Sequence, residues 1–460
     1  MAAPVSEYTL SRLVVVSFAG TILIGALLLF LPIAQAPEAA PVSWVDALFT
    51  STSAVCVTGL AVFDVGTTLS LPGQVALLGL IQVGGLGFLT LSTFVVSRLH
   101  ARKKGMSLEQ RHLLEISHGA VETVSPALLL RAILLFTLIT ELVGALFLFA
   151  RFSESHSPGW AWWLSVFHAI SAFCNAGFGL FPDSLMAFRS DPLVSVTVMF
   201  LIVLGGLGFI VVADLTLRAR GLLRHRRAPL SLHARLVLIT TALLIVLGAV
   251  PIALLEWGGQ AMGGETGTVI LESLFLSVTS RTAGFNTVDT GLLTGPTLFL
   301  VILLMAIGGS PGSTAGGMKT TTAAVCYALL SSKARNRPRV ECLKRSIPDD
   351  TVNKAILVVT GYILAIVLGV LLLQLTEAGQ RPFNRTGDNL FLAHLFEVVS
   401  ALGTVGLSTG ITPKLGTGGK LVLIVLMYVG RVGPLLLATA FVGRVSKVRY
   451  TYAEENVNIG

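Results

Sequence analysis

Apolar residues in this chain come in long runs, and eight of the runs are about as long as a bilayer's hydrocarbon core is thick. They fall near residues 12–32, 73–97, 127–150, 193–217, 236–255, 297–327, 354–376 and 420–442. A spanning helix needs about 20 mostly apolar residues, so the pattern predicts eight transmembrane helices, the sixth of them irregular. Between the members of each pair lies a shorter segment that mixes apolar with small polar residues: Phe49–Leu60, Phe167–Phe178, Leu274–Phe285 and Phe396–Leu407. Each reads as a half-polar helical stretch too short to cross, closing on a glycine and an apolar residue. The prediction is an all-α polytopic membrane protein: four helix–pore-loop–helix repeats with pseudo-fourfold symmetry around one ion pore.

The glycines that close the short segments, Gly59, Gly177, Gly284 and Gly406, are 118, 107 and 122 residues apart. A second marker follows each of them: Gly84-Gly85-Leu86-Gly87, Gly205-Gly206-Leu207-Gly208, Gly308-Gly309-Ser310-Pro311 and Gly430-Arg431-Val432-Gly433. These begin 25, 28, 24 and 24 residues after the closing glycines. Two markers at nearly constant separation make the repeat real. It divides the chain into repeat one (1–100), repeat two (101–220), repeat three with a broken second helix (221–340), repeat four (341–450) and a C-terminal tail (451–460). Close helix approach is one explanation of the glycine clusters; their registration with the closing glycines favours helices around a central cavity.

Composition agrees: 53% hydrophobic, 12% charged and a mean hydropathy of +0.82 lie outside the soluble range. The net charge of +8 is gathered into alternate loops. Arg98, Arg102, Lys103, Lys104 and Arg111 share one; Arg218, Arg220, Arg224, Arg226, Arg227 and Arg235 another. Lys333, Arg335, Arg337, Arg339, Lys344 and Arg345 fill a third, and Arg444, Lys447 and Arg449 follow the last run. The other loops carry Glu38, Asp46, Asp64, Asp183 and Asp289. Basic loops stay on the cytoplasmic side, which puts both termini in the cytoplasm. Strict alternation with apolar runs argues against nucleic acid as the partner of these charges. The first run is too long for a signal-peptide core and no small-residue cleavage pattern follows it, so it is expected to be retained. The four cysteines lack metal-binding spacing and are expected to pack as small apolar residues.

The short segments carry the chemistry. A cation leaving water exchanges its hydration shell for oxygens, and inward backbone carbonyls supply them. Glycine allows the angles that turn carbonyls to an axis, and a short helix points its negative end at the ion. Ser51, Ser53, Ser171, Ser277, Thr279 and Ser400 suit packing around such loops. Two residues before each glycine stand Val57, Asn175, Thr282 and Thr404, so carbonyl coordination is expected to be shared and side-chain oxygen to vary. The sixth run is interrupted by Gly308, Gly309, Ser310, Pro311, Gly312, Ser313, Thr314, Ala315, Gly316 and Gly317, which cannot continue a helix. Either this is a packed kink, or it is an intramembrane loop below the filter that obstructs the cavity until it moves. Arg431 stands where the other repeats have Gly85, Gly206 and Gly309. A charge at mid-helix is costly, by about 2.5–3.5 kcal/mol or more. It is read either as a structural ion pair or as a fixed charge facing the conduction path. Glu397, Glu272 and Asp46 are read as helix caps or cation attractors at the outer mouth, and His168 as a locally hydrogen-bonded side chain; Glu141 has no evident partner. A membrane enzyme would need a nucleophile, paired carboxylates or a metal motif, and none is visible. A secondary carrier typically has inverted repeats, whereas these run in one direction.

Together these segments resemble the Trk/Ktr/HKT superfamily of potassium transporters over nearly the whole chain. The specific marks are the four closing segments, Gly308–Gly317 and Arg431. The length, the lack of an extra N-terminal helix pair and the ending Tyr450–Gly460 look most like the membrane subunit of the Ktr branch. The resemblance implies potassium (K+) uptake across the cytoplasmic (inner) membrane through a filter of Val57, Thr58, Gly59, Asn175, Ala176, Gly177, Thr282, Ala283, Gly284, Thr404, Val405 and Gly406. Glycine in the first repeat goes with potassium preference in that superfamily, and Gly59 satisfies this. The resemblance further implies a gate at Gly308–Gly317 with Arg431, a homodimer with one pore per subunit, and a cytosolic KtrA-type ring that alone binds nucleotide (ATP or ADP). Sodium (Na+) stimulation stays open, and the alternative is a Trk-type potassium or sodium transporter with a different regulatory subunit.

Overall fold

The runs that open the repeats fold as four unbroken helices, Glu7–Phe30, Pro126–Phe152, Leu232–Leu255 and Asp349–Glu377. The computed structural model describes residues 7–101, 126–223, 230–377 and 390–433. The expected cytoplasmic residues Arg102, Lys103, Lys104, Arg111, Arg224, Arg226, Arg227, Arg444, Lys447 and Arg449, together with Pro434 and the 451–460 tail, lie outside the described residues. All four helices are long and apolar enough to cross a membrane. Among the described residues their outward faces are largely uncovered: only 17% of the apolar window in Asp349–Glu377 is buried, and Leu254 is 72% exposed. Such faces require an apolar surrounding medium.

Inside this shell sit four short helices, Trp44–Val55, Pro158–Phe173, Thr266–Thr279 and Leu390–Gly403. Even the 16 residues of Pro158–Phe173 reach only about 24 Å at 1.5 Å per residue, short of the ~30 Å hydrocarbon core. The chain therefore turns back inside the molecule. Their small polar residues are buried because they have partners there: Ser51 donates to Ile22 O at 2.7 Å and Ser277 to Ile245 O at 2.8 Å, each on the opening helix of its own repeat. Each short helix also packs on the closing helix of the preceding repeat, and the first packs on that of the fourth. Four repeats thus close into a ring.

The closing helices differ from the simple spans expected. Leu71–Ala101 runs unbroken through Gly84–Gly87. In repeat two the expected 193–217 span is two helices, Pro192–Leu207 and Phe209–Leu223, bent by 100°. The break falls at Gly208, whose φ of 86° is costly for any residue with a Cβ. In repeat three Gly295–Met305 and Thr320–Ala334 flank the Gly/Pro segment, which leaves the helix as expected. In repeat four the helix Thr417–Val432 stops at Gly433, with φ 87°, so the expected run to 442 is described only that far. Gly84, Gly205 and Gly430 each abut the carbonyl four residues before their closing glycine, on Val55, Phe173 and Leu402, with no room for a Cβ. Close approach thus explains the first glycine of three clusters.

Candidate functional site

The chain reverses at the same point in all four repeats and in the same backbone conformation. Val57, Asn175, Thr282 and Thr404 have φ of 55°, 60°, 69° and 51°; Gly59, Gly177, Gly284 and Gly406 have φ of 93°, 70°, 78° and 92°. The residue between, Thr58, Ala176, Ala283 or Val405, is not left-handed. Alternating hands turn successive carbonyls to one side. The amides turn to the other side: Thr58 N donates to Ser53 O at 2.7 Å, Ala176 N to Ser171 O at 2.8 Å, Val405 N to Ser400 O at 2.8 Å and Ala283 N to Thr279 O at 3.0 Å. Gly59 N and Gly406 N donate to the hydroxyls of Ser53 and Ser400, at 3.0 and 3.1 Å. A left-handed L-residue costs about 1–2 kcal/mol, and three of the four are β-branched. The same strain recurs at one position in all four repeats, as backbone held for a purpose at functional sites does.

The four turns meet. A Cβ built on Gly177 would lie 2.6 Å from Ala283 O, and one on Gly284 would lie 2.5 Å from Val405 O. One on Gly59 would strike Ala176 O and one on Gly406 would strike Thr58 O, closing the circle in chain order. Each glycine is needed because the next repeat's backbone occupies the place of its side chain. The hydroxyls of Thr58 and Thr404 are buried without a hydrogen-bond partner. The Asn175 amide is best satisfied with its nitrogen donating to Ala172 O at 3.1 Å and Ile202 O at 3.2 Å, which leaves its oxygen on the Thr282 side. A ring of carbonyls with spare side-chain oxygens offers a dehydrated cation what water did.

The Gly308–Gly317 segment lies against one end of this ring, beside Thr282 and Thr404. A Cβ on Gly308 would be 3.0 Å from the Thr282 methyl, and one on Gly316 would meet the Thr404 side chain. Its neck is pinched by the Ile307–Met318 bridge, with Gly308 N donating to Met318 O at 2.8 Å. Its tip is held by the broken helix of repeat two. Ser310 N donates to Gly206 O (3.0 Å), Thr314 N to Gly205 O (3.2 Å), and Phe209 N to Gly312 O (3.0 Å). Those are groups the break at Gly208 leaves without helical partners. Thr314 Oγ1 also donates to Phe173 O at 3.1 Å, and Ser310 and Thr320 hydroxyls meet at 3.1 Å. The segment is packed, and its packing is mostly hydrogen bonds through backbone.

Arg431 is 2% exposed and reaches the same segment. Its guanidinium donates to Thr314 O and, at 2.7 Å, to Gly84 O of repeat one. Lys319 Nζ donates to Ala315 O at 2.8 Å. Consecutive carbonyls of the loop are therefore held by cationic side chains. The acidic candidates are met by side chains from distant parts of the chain. Asp46 Oδ1 pairs with Lys420 at 2.6 Å, and Asp46 N is capped by Ser43. Glu272 is 3.8 Å from Arg189. Glu141 accepts from Gln82 Nε2 at 3.1 and 3.2 Å, and the Gln82 oxygen accepts from Cys174; the sequence alone does not reveal that contact. Cys56 and Cys174 are buried and unbridged.

Comparison with known proteins agrees with the fold. The family model TrkH, described as a cation transport protein, matches residues 12–447. The chain is 38% identical over 452 residues to the Ktr system potassium uptake protein B of Bacillus subtilis (strain 168), covering 97% of this chain and 96% of that protein. It is 36% identical over 455 residues to the potassium/sodium uptake protein NtpJ of Enterococcus hirae, covering 98% and 97%. In fold it is similar to the crystal structure of the potassium transporter TrkH from Vibrio parahaemolyticus, with a TM-score of 0.71 at 20% identity over 93% of this chain and 83% of that one.

Proposed function

The chain belongs to the TrkH family of cation transport proteins, and from that premise we propose that it takes up potassium across the cytoplasmic membrane through the ring at Gly59, Gly177, Gly284 and Gly406. One repeat falls in each of residues 1–100, 101–220, 221–340 and 341–450, and both termini face the cytoplasm. The observation that supports this most is the fourfold left-handed register at the residue two before each glycine. A shared set of carbonyl ligands accounts for this strain. The names of the similar uptake proteins support potassium as the cargo, and the name of the Enterococcus hirae relative supports a part for sodium. The test is uptake of potassium, rubidium and sodium isotopes by cells or liposomes carrying the protein. Saturable potassium uptake that outcompetes sodium is expected; equal uptake of sodium would overturn the choice of ion.

The Gly308–Gly317 segment acts as the gate, closed here by its bonds to repeat two, Arg431 and Lys319. A cytosolic KtrA-type ring, carrying the nucleotide, opens it from the basic inner face of a homodimer. Flux in liposomes with and without the purified ring tests that regulation: a rise on adding it is expected, and an equal flux counts against it.

Arg431 latches the gate as well as repelling cations. Hydrogen bonds to charged groups contribute about 1.5–3 kcal/mol each, and 1.4 kcal/mol is tenfold in an equilibrium. Arg431→Ala is therefore expected to raise partner-free potassium flux by roughly tenfold. Unchanged flux and kinetics in a well-expressed variant would remove Arg431 from the gate.

A further inference from the structure

Nine residues before the closing glycine, the four repeats carry Thr50, His168, Phe275 and Glu397, and two of these reach forward to the chain leaving the ring. His168 Nδ1 meets Leu164 O at 2.8 Å, so Nδ1 carries the proton and Nε2 accepts from Leu180 N at 3.4 Å. Glu397 Oε1 accepts from Thr409 N at 3.0 Å. Leu180 and Thr409 are each three residues past their glycine, in repeats that face each other across the ring. Thr50 Oγ1 has no partner, and Phe275 has no polar atom to offer.

Repeat four alone brings a carboxylate. Glu397 is fully buried, and every contact it makes is with a donor. Oε1 takes the Ser408 hydroxyl at 2.6 Å and Thr409 Oγ1 at 3.4 Å, and Oε2 takes the Thr412 hydroxyl at 2.6 Å. Ser408 Oγ, which donates its proton to Glu397, in turn accepts from Gly410 N at 3.0 Å. A set of donors only is what an ionised carboxylate asks for. Among the described residues no lysine or arginine pairs with it. The Thr290 hydroxyl donates to Ser408 O, which ties the loop leaving repeat three to the same knot. Among the described residues, a buried carboxylate met only by neutral donors thus sits behind the ring, on the side from which the chain leaves for the outer surface. In a medium of low dielectric its field is little screened.

We infer that Glu397 is a positioning residue of the pore: it clamps the loop after the fourth closing glycine and supplies the fixed negative charge that sets the affinity for the arriving monovalent cation. The inference rests on the function proposed above. Carboxylate and amide have nearly the same shape. In Glu397→Gln the amide oxygen keeps Ser408 and Thr409, and the Thr412 hydroxyl rotates to accept from the new amide.

The experiment is potassium flux into liposomes against external potassium concentration, for wild type, Glu397→Gln and Glu397→Asp. In the Gln variant KM is expected to rise by roughly five- to tenfold while the maximal rate stays within about twofold. Asp keeps the charge and shortens the clamp, so it is expected to bring KM back to within about threefold of wild type. A Gln variant with wild-type KM overturns the inference. So does a Gln variant that loses maximal rate at constant KM, since that is the mark of damage to structure alone. Should the Gln variant fail to accumulate folded, the Asp variant decides: a KM more than about fivefold above wild type overturns the charge role. Wild-type protein with no saturable potassium uptake would overturn the proposed function and this inference together, whereas unchanged KM in the Gln variant overturns this inference alone.

Discussion

Deleting Gly312–Gly316 is expected to raise potassium flux without a cytosolic partner by at least tenfold and to abolish any further stimulation when one is added. The deletion removes the acceptor for Phe209 N, the Thr314 amide and hydroxyl that reach Gly205 O and Phe173 O, and the carbonyls held by Arg431 and Lys319. Each such bond contributes a net of about 1 kcal/mol, and those to charged groups more, so the closed position loses several kcal/mol where 1.4 suffices for tenfold. It also removes Gly316, the residue pressed on Thr404. The remaining Gly308, Gly309, Ser310, Pro311 and Gly317 still suffice to turn the chain between the bridged residues Ile307 and Met318. The Gly205 carbonyl and Phe209 amide then face the space the deletion leaves, where water is expected to replace the lost partners, so the helices themselves should stand. Flux in proteoliposomes, normalised to inserted protein, checks the prediction. An unchanged rate would mean that the segment is a packed kink with no hold on the ion.

That choice between kink and gate shows where sequence reasoning stops. The opening helices were legible because bilayer thickness fixes their length, and the four short segments because glycine spacing registered them twice. The break at Gly208 was not. Gly87 and Gly208 end clusters of identical pattern, yet one continues its helix and the other has φ 86°. The difference lies in a distant part of the chain: Gly312 O is there to take the amide of Phe209, and Ser310 N and Thr314 N to take the carbonyls of Gly206 and Gly205. No local pattern carries information about a partner about a hundred residues away.

The candidate site divides in the same way. Its glycines were visible, since glycine has few other reasons to recur at that spacing. The left-handed residues before them were hidden, because Val57, Thr282 and Thr404 disfavour that conformation and are held in it by the bonds of the amides that follow. Arg431 stood out as a charge among glycines, but its acceptors, Thr314 O and Gly84 O, belong to two other repeats. Glu141 was visible as a charge with no partner, and Gln82 supplies one from 59 residues away.

The sharpest test of the ring is a single methyl group. Gly59→Ala is expected to cut the preference for potassium over sodium at least tenfold and to abolish uptake at low potassium. Two costs combine. Alanine at φ 93° is strained by about 1–2 kcal/mol. Its Cβ would also strike Ala176 O and lie 3.1 Å from Gly177 Cα. These are backbone atoms of the next repeat and cannot swing aside as a side chain would, so the ring must open at one of its four joints, and the carbonyls on both sides lose their common centre. Gly79→Ala is the matched control. Gly79 lies in the same repeat, inside the helix Leu71–Ala101, with nothing within 4 Å of a built Cβ. There the methyl should stabilise the helix by roughly 0.5–1 kcal/mol and leave selectivity alone. Competitive uptake of labelled potassium and sodium by the two variants reads the difference. If Gly59→Ala inserts and folds like Gly79→Ala and still discriminates as the wild type does, selection does not take place at this ring.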